Sequence, residues 1–121
     1  MSLLSTPLLS LLGRALDLTA HRQELVSQNV ANVDTPGYHA RDIDFGSELQ
    51  RALSAGGEDS PPTPVVREVP GLIERPDGNN VNIDRESLLM AQNQLQFQAE
   101  AAVLRSEFSR LQLAITGGSG Q

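Results

Sequence analysis

The sequence predicts a mainly α-helical protein in which two long terminal helices pack side by side as an antiparallel, coiled-coil-like pair. Three observations support this fold class. Apolar residues recur at alternating three- and four-residue spacing near both ends of the 121-residue chain, which is the pattern of a helix that packs along a neighbour. The segment between them is rich in glycine and proline. It also has too few apolar side chains for a core of its own.

The N-terminal helix is expected within residues 1–34 and should end near Val33. Thr6 is a suitable N-cap, and Pro7 suits the first helical position because an N–H there would have no intrahelical acceptor. A second apolar stripe lies beside the heptad positions, so we expect part of this helix to face further neighbours. Its expected helix-packing residues are Leu8, Leu11, Leu18 and Leu25.

A sharp turn is predicted where this helix ends. Asn32 suits a helix C-terminus, Pro36 cannot continue a helix, and Gly37 tolerates the positive φ of a tight turn. These residues belong to a longer pattern, N-x-x-N-x-D-T-P-G-Y-x-A-R-D-x-D-F. We treat the pattern as a candidate assembly site. Its residues are Asn29, Asn32, Asp34, Thr35, Pro36, Gly37, Tyr38, Arg41, Asp42, Asp44 and Phe45.

Residues 35–83 are predicted to hold this turn and a loop-rich, partly disordered middle segment. Short strands are expected at Val65–Val69 and Val81–Ile83, where β-branched and polar residues alternate between turn signals. Phe45–Arg51 should form one or two helical turns. We expect residues 55–64 to be mobile, because almost no apolar side chain anchors them.

The C-terminal helix is predicted over residues 84–116, with Asp84 as its N-cap. Apolar residues repeat along it at four- and three-residue spacing, and such a stripe is unfavourable in water. We therefore expect it to pack along the N-terminal helix. Its helix-packing residues would be Met90, Phe97, Leu104, Phe108, Leu111 and Ile115. The glycine-rich residues 117–121 are expected to be a flexible tail.

The composition argues against several classes of protein. The net charge is −6, and the aromatic residues are one tyrosine and three phenylalanines, so a nucleic-acid surface is not expected. With no cysteine, the chain has neither a disulfide nor a thiolate metal site. No apolar run is long enough to span a membrane. The N-terminus also lacks the basic region and cleavage site of a cleaved signal peptide.

We predict no catalytic, cofactor-binding or metal-binding residues, no small-molecule substrate and therefore no enzyme. Asp17 and His21 have a helical spacing that occurs in metal sites, but no second histidine lies near them in sequence, and a surface ion pair explains them better. Residues 77–84 are rich in oxygen ligands. They do not follow the calcium-loop pattern, because glycine stands at the second position and not at the sixth.

Two blocks resemble the bacterial flagellar basal-body rod protein family, and within it the subunits of the proximal rod. The first is the pattern at residues 29–45. The second is D-G-N-N-V-N-I-D-R-E at residues 77–86, followed by M-A-Q-N-Q-L-Q-F from residue 90. The resemblance covers roughly residues 1–50 and 77–116. The middle of the chain is short and matches poorly.

The resemblance implies a structural subunit of the axial rod, which transmits torque from the membrane ring to the distal rod. Its partners would be further copies of itself, other rod subunits, the rotor-ring/rod junction protein and the flagellar type III export apparatus. It would lie in the periplasmic part of the basal body. The alternative is a non-flagellar coiled-coil adaptor or an export chaperone, which would also be acidic and helical but would not need the pattern at residues 29–45.

Overall fold

The computed structural model describes residues 7–55 and 63–117. In this part of the chain there are three helices and one two-stranded sheet. In chain order they are α1 (Pro7–Ala31), β1 (Arg41–Ile43), α2 (Phe45–Ser54), β2 (Val66–Glu68) and α3 (Ile83–Thr116). The predicted fold class is confirmed, since the protein is mainly helical, with long terminal helices and short strands between them.

The two terminal helices pack against each other in antiparallel orientation, as the sequence predicts. Hydrogen-bonded pairs between them are Thr19 with Glu100, Gln23 with Asn93, and Asn29 with Glu86. The residue number on α3 falls as the number on α1 rises. At 1.5 Å per residue, α1 is roughly 37 Å long and α3 roughly 50 Å.

A small apolar core holds the middle segment against α1. Leu18 and Leu25 of α1 and Ile43 of β1 are its buried residues, and Phe45, Leu49 and Val66 pack around them. Strand β1 pairs antiparallel with β2, with Arg41 opposite Glu68 and Ile43 opposite Val66. Since side chains alternate across a strand, Ile43 is placed in the core while the residues on either side of it point away.

Two of the predicted elements of the middle segment are confirmed, and one is wrong. The strand expected at Val65–Val69 forms as the shorter β2, and the expected helical turns form as α2. The strand expected at Val81–Ile83 does not form. The Val81 N–H donates to the Asn79 side chain at 2.8 Å, and Ile83 already belongs to α3.

The ends of the long helices also differ from the prediction. Helix α1 ends at Ala31, two residues before the expected end. Asp84 is not the N-cap of α3, because Asn82 has the extended backbone of a cap (φ −108°, ψ 109°) and its Oδ1 accepts the Arg85 N–H at 3.1 Å. Asp84 therefore lies inside the first turn. Predictions for residues 1–6, 56–62 and 118–121 fall outside the described residues.

The largest correction concerns the face of α3 that meets α1. Its buried residues are Glu86, Leu89 and Asn93, whereas most of the predicted apolar stripe is left open to solvent. Leu104 and Leu111 are half-buried. We call the four most open members of the stripe the exposed seam: Met90 (38% exposed), Phe97 (47%), Phe108 (44%) and Ile115 (53%).

The predicted packing residues of α1 behave differently from those of α3. Leu18 and Leu25 are buried, Leu11 is half-buried and Leu8 is exposed. The sequence predicts that apolar surface not covered by the other helix lies on α1. In the structure most of this exposed apolar surface lies on α3. None of the helices in the described ranges is long and apolar enough to cross a bilayer.

Candidate assembly site

The pattern at residues 29–45 forms a turn that we call the corner. After α1, the Thr35 N–H donates to the Asn32 carbonyl at 3.0 Å, and the Tyr38 N–H donates to the Thr35 carbonyl at 3.2 Å. Gly37 has a φ of +76°, which confirms the positive φ expected from sequence. L-residues with a Cβ avoid this region of φ, and glycine does not.

Asn29 is the centre of the corner and is only 1% exposed. Its Nδ2 donates to the Arg41 carbonyl at 3.0 Å and to Glu86 Oε1 at 2.7 Å. Its Oδ1 accepts the Arg41 N–H at 3.0 Å and the Tyr38 hydroxyl at 3.2 Å. One amide therefore connects α1, the turn, β1 and α3. Its two donors and two acceptor positions are all used, as burial requires.

The second sequence block packs directly onto the corner. Asn79 is fully buried, and its Nδ2 donates to the carbonyls of Asn32 and Thr35, each at 2.8 Å. These carbonyls follow the end of α1, so they have no N–H partner within the helix. The Gly37 N–H donates to the Asp77 carbonyl at 2.9 Å.

Asn80 adds two further links between the same segments. Its Oδ1 accepts the Ala40 N–H at 2.7 Å, and its own N–H donates to the Tyr38 carbonyl at 3.1 Å. The backbones come so close that a Cβ on Gly78 would lie 3.2 Å from the Gly37 Cα. The two blocks that resemble the rod family at opposite ends of the sequence thus form one structure.

Paired charges join the corner to both long helices. Asp42 accepts from the Arg22 guanidinium at 2.9 and 3.0 Å and from the Arg85 guanidinium at 2.9 Å. Arg85 also donates to Glu86 at 2.7 Å. Two carboxylates and two guanidiniums balance in this cluster, so the fully buried Glu86 has a charged partner, which a buried carboxylate requires.

The last residues of the pattern start α2. Asp44 is its N-cap and accepts from the Ser47 N–H at 3.2 Å and the Ser47 hydroxyl at 2.9 Å. The Ser47 backbone N–H, followed by its hydroxyl, lowers the pKa of Asp44. Phe45 packs against the core. The pattern therefore ends by fixing α2 on α1.

His39 links the corner to the sheet and to the loop that follows it. Its Nδ1 lies 3.3 Å from Glu68 Oε2, and its Nε2 lies 2.9 Å from Glu74 Oε1. The hydrogen bond to Glu74 and then the bond to Glu68 raise the pKa of His39 above its ordinary value of 6.5. Protonation lets both ring nitrogens donate at once, so the charged form suits this position.

Other residues of the pattern face outward. Asp34, Thr35, Pro36 and Arg41 are exposed. The Arg41 guanidinium donates to Gln28 at 2.9 Å, and the Thr35 hydroxyl donates to Asn32 at 3.1 Å. Their outer surfaces are open to neighbouring molecules.

Within residues 7–55 and 63–117, the side chains considered above for a metal site are not arranged as one. His21 lies 3.8 Å from Glu24 and not beside Asp17, so the ion pair forms with a different residue from the one considered above. Among the residues that the structure describes, no cluster of histidine and carboxylate side chains is arranged to hold a metal ion.

Sequence reasoning missed five residues of the site. Arg22, Asn79, Asn80, Arg85 and Glu86 contact the corner, but none of them was a candidate. The second block contains four of these five residues, and its resemblance to the family was the available signal. Nothing in the sequence distinguishes Arg22 from the other arginines of the chain.

Comparison with known proteins identifies the family. The sequence model described as "Flagella basal body rod protein" matches residues 9–39, which are most of α1 and the turn. The flagellar basal body rod protein FlgB of Salmonella typhimurium (strain LT2) is 37% identical over 127 residues, covering 87% of this chain and 90% of that protein. The chain belongs to the FlgB family of flagellar basal body rod proteins. Similar relatives are FlgB of Cereibacter sphaeroides (37% identical over 120 residues, 87% of this chain and 91% of the relative) and of Escherichia coli K12 (34% over 128 residues, 87% and 90%).

Family membership decides between the two hypotheses drawn from sequence. FlgB proteins are named as basal body rod proteins, and the helical fold agrees with that role. The chain is a structural subunit of the flagellar basal body rod that assembles with other rod components, and not a non-flagellar adaptor or chaperone. In this subunit the corner connects α1, β1 and α3.

Proposed function

We propose that this FlgB subunit assembles into the proximal part of the rod through the exposed seam of α3 and helps to carry torque along the axis. The observation that supports the proposal most is the seam itself. Four large apolar side chains, each 38–53% exposed, follow one line along a single helix. A contiguous apolar surface of this kind indicates a contact with another protein.

Helix α3 also has a second apolar line. Leu88, Leu95 and Leu113 are 59–69% exposed, and at 3.6 residues per turn they lie about half a turn away from the exposed seam. Two separate apolar faces on one helix favour two different neighbours. Contacts between unlike faces extend an open helical assembly, whereas a two-fold contact would close a dimer.

The corner supplies the rigidity that such a subunit needs. Its buried amides and paired charges connect α1, β1 and α3 through hydrogen bonds of 2.7–3.2 Å. A side chain with every polar group satisfied loses several interactions at once if a helix shifts. We therefore assign the corner the role of keeping the axial helices in one relative position under load.

The proposed partners follow from membership of the rod family. They are further copies of the chain, the other rod subunits, the rotor-ring/rod junction protein and the flagellar export apparatus. The proposed location is the periplasmic rod of the basal body, reached through the flagellar export apparatus. Helices that expose apolar faces suit assembly after export, because neighbours then cover those faces.

The test compares charged substitutions on and off the exposed seam. Phe108→Glu should abolish motility and rod assembly in a complemented deletion strain, because burial of an unpaired charge between subunits costs several kcal/mol. Gln98→Glu, at an exposed position of α3 that lies between the two apolar lines, is the matched control and should leave motility intact. Basal bodies are imaged by electron microscopy in both strains.

Since Phe108 is 44% exposed, its substitution should leave the isolated subunit folded, and circular dichroism checks this. Glu100 is unsuitable as a control, because it accepts from Thr19 at 2.8 Å. Normal motility with Phe108→Glu would exclude the seam as a subunit contact.

A further inference from the structure

The surface of α3 that meets α1 is more polar than the surface it exposes. Glu86 and Asn93 are buried there, and Gln96 and Glu100 are half-buried. The exposed seam lies roughly 60° away around the helix, at 100° per residue. An amphipathic helix ordinarily turns its apolar side toward its partner. A rotation of α3 by that angle would bury the seam against α1 of the same chain.

Polar partners on α1 match the polar face of α3 closely. Asn93 Nδ2 donates to Gln23 Oε1 at 3.1 Å, and the Thr19 hydroxyl donates to Glu100 Oε1 at 2.8 Å. Gln96 supports this contact by donating to Glu100 Oε2 at 3.1 Å. Asn93 is only 3% exposed, so its hydrogen bond forms where water does not compete.

We infer that the two polar pairs, Gln23 with Asn93 and Thr19 with Glu100, select the rotation of α3 that keeps the exposed seam facing outward. Loss of the Gln23 contact would leave the buried Asn93 amide without this partner, and an unpaired buried polar group costs more than one exposed to water. The Thr19 hydroxyl also donates to the Ala15 carbonyl at 2.9 Å, so its bond to Glu100 is the weaker constraint. A buried polar pair is known to select one register among helices at some expense of stability. The inference rests on the proposed function, in which the seam contacts other subunits.

This reasoning explains why the sequence predicts the wrong packing face. Judged by apolar area alone, the exposed seam is the better partner for α1. The polar pairs exclude that arrangement. A subunit whose α1 carried apolar side chains in place of the polar partners would bury its seam internally and would have less apolar surface for assembly.

The test removes one pair and measures where α3 faces. In Gln23→Leu/Asn93→Leu both partners become apolar, so no unpaired group is left behind. The chain has no cysteine, so a single introduced cysteine can be labelled with a maleimide in the isolated subunit. Met90→Cys reports the accessibility of the seam, and Ala91→Cys reports that of a position off the seam. Both positions are exposed in the native structure.

The expected result is that Met90→Cys labels about tenfold more slowly in the double variant than in the native background, as for other groups that become protected by packing. Labelling of Ala91→Cys should stay unchanged. Gln92→Leu, an exposed position on the same helix, is the control for an added leucine and should alter neither rate. Unchanged labelling of Met90→Cys in a folded double variant would overturn the inference.

A second double variant is needed in case the first one does not fold. Thr19→Val/Glu100→Leu removes the other contact and should slow the labelling of Met90→Cys in the same way. If neither double variant slows it while circular dichroism reports native helix content, the polar pairs do not orient α3. The labelling experiment uses no assembled rod, so its outcome is independent of whether the seam is a subunit contact. That question is decided by Phe108→Glu.

Discussion

At the residue scale, asparagine is used in this protein where both a donor and an acceptor are needed in one buried place. Asn29 and Asn79 each join two backbone segments through both ends of the amide. Aspartate would lose the donors and leucine would lose both functions. This explains the asparagines at these two positions, whereas the sequence alone assigned a local role, at a helix end, only to Asn32.

We predict that Gly37→Val destabilises the subunit by about 1 kcal/mol or more, because φ is +76° there and an L-residue is strained in that conformation. The matched control is Gly13→Ala, which should stabilise α1 by up to about 1 kcal/mol. A new Cβ meets nothing within 4 Å at either glycine, so only the backbone distinguishes them. Urea unfolding of the isolated chain measures both. Equal stability of Gly37→Val and the native chain would mean that the turn relaxes freely.

His39 should make stability depend on pH. Its pKa is raised in the folded state by Glu74 and Glu68, so folding favours the protonated ring. The contribution is fully present below pH 6.5, the ordinary value, and is lost as the pH rises through the raised pKa. We expect the effect to be small, because solvent screens the exposed partners.

The measurement compares the unfolding free energy of the native chain and of His39→Gln across this pH range, with NMR titration of the ring. The difference between the two chains should shrink as the pH increases. A difference that does not vary with pH would show that the contacts to Glu68 and Glu74 form equally well with the neutral ring.

At the scale of elements, the sequence predicts correctly those features that neighbouring residues determine, such as helix starts and tight turns. Pro7 is the first residue of α1, Gly37 has positive φ, and α2 forms after Asp44. The predictions are wrong where contacts with residues distant in sequence determine the structure. Val81 has the β-branched side chain of a strand, but its N–H is bonded to Asn79. Likewise, the spacing of apolar residues along α3 does not reveal which polar side chains of α1 contact a different face of α3.

The observed cap of α3 gives a direct test of one such error. Asn82→Ala should lower the unfolding free energy by about 1 kcal/mol, because the Arg85 N–H would lose its acceptor. Asp84→Ala should have a smaller effect, since Asp84 contributes only its charge near the positive end of the helix dipole. Thermal unfolding compares the stability of the two variants. If Asp84→Ala lowered the unfolding free energy more than Asn82→Ala, Asp84 would be the N-cap, as the sequence predicts.

At the scale of the whole molecule, stability is concentrated at one end. The corner, the paired charges and the sheet all lie near the C-terminus of α1 and the N-terminus of α3. At the opposite end, most side chains of Leu104–Thr116 are half-buried or exposed. The subunit is therefore most tightly packed at the corner and least tightly packed at the C-terminal end of α3.

We expect hydrogen exchange in the isolated subunit to follow this gradient. Amides near Asn29 and Glu86 should be the most protected, and those of the last three turns of α3 should exchange fast, as poorly packed segments do. In purified rods the same turns of α3 should become protected, because neighbours cover them. Strong protection of these turns in a verified monomer would contradict this expectation.

The corner also sets the order in which the chain folds. Asn29 bonds Glu86 across 57 positions of sequence, and Asn32 bonds Asn79 across 47. Closing such long loops costs entropy before any contact is gained, so the corner forms late. An N-terminal fragment that stops before Asn79 lacks the amide that donates to the Asn32 and Thr35 carbonyls, so it has no complete corner. It does contain the core residues of α1, β1, α2 and β2. The relative position of the two long helices is therefore fixed only after the last third of the chain is available.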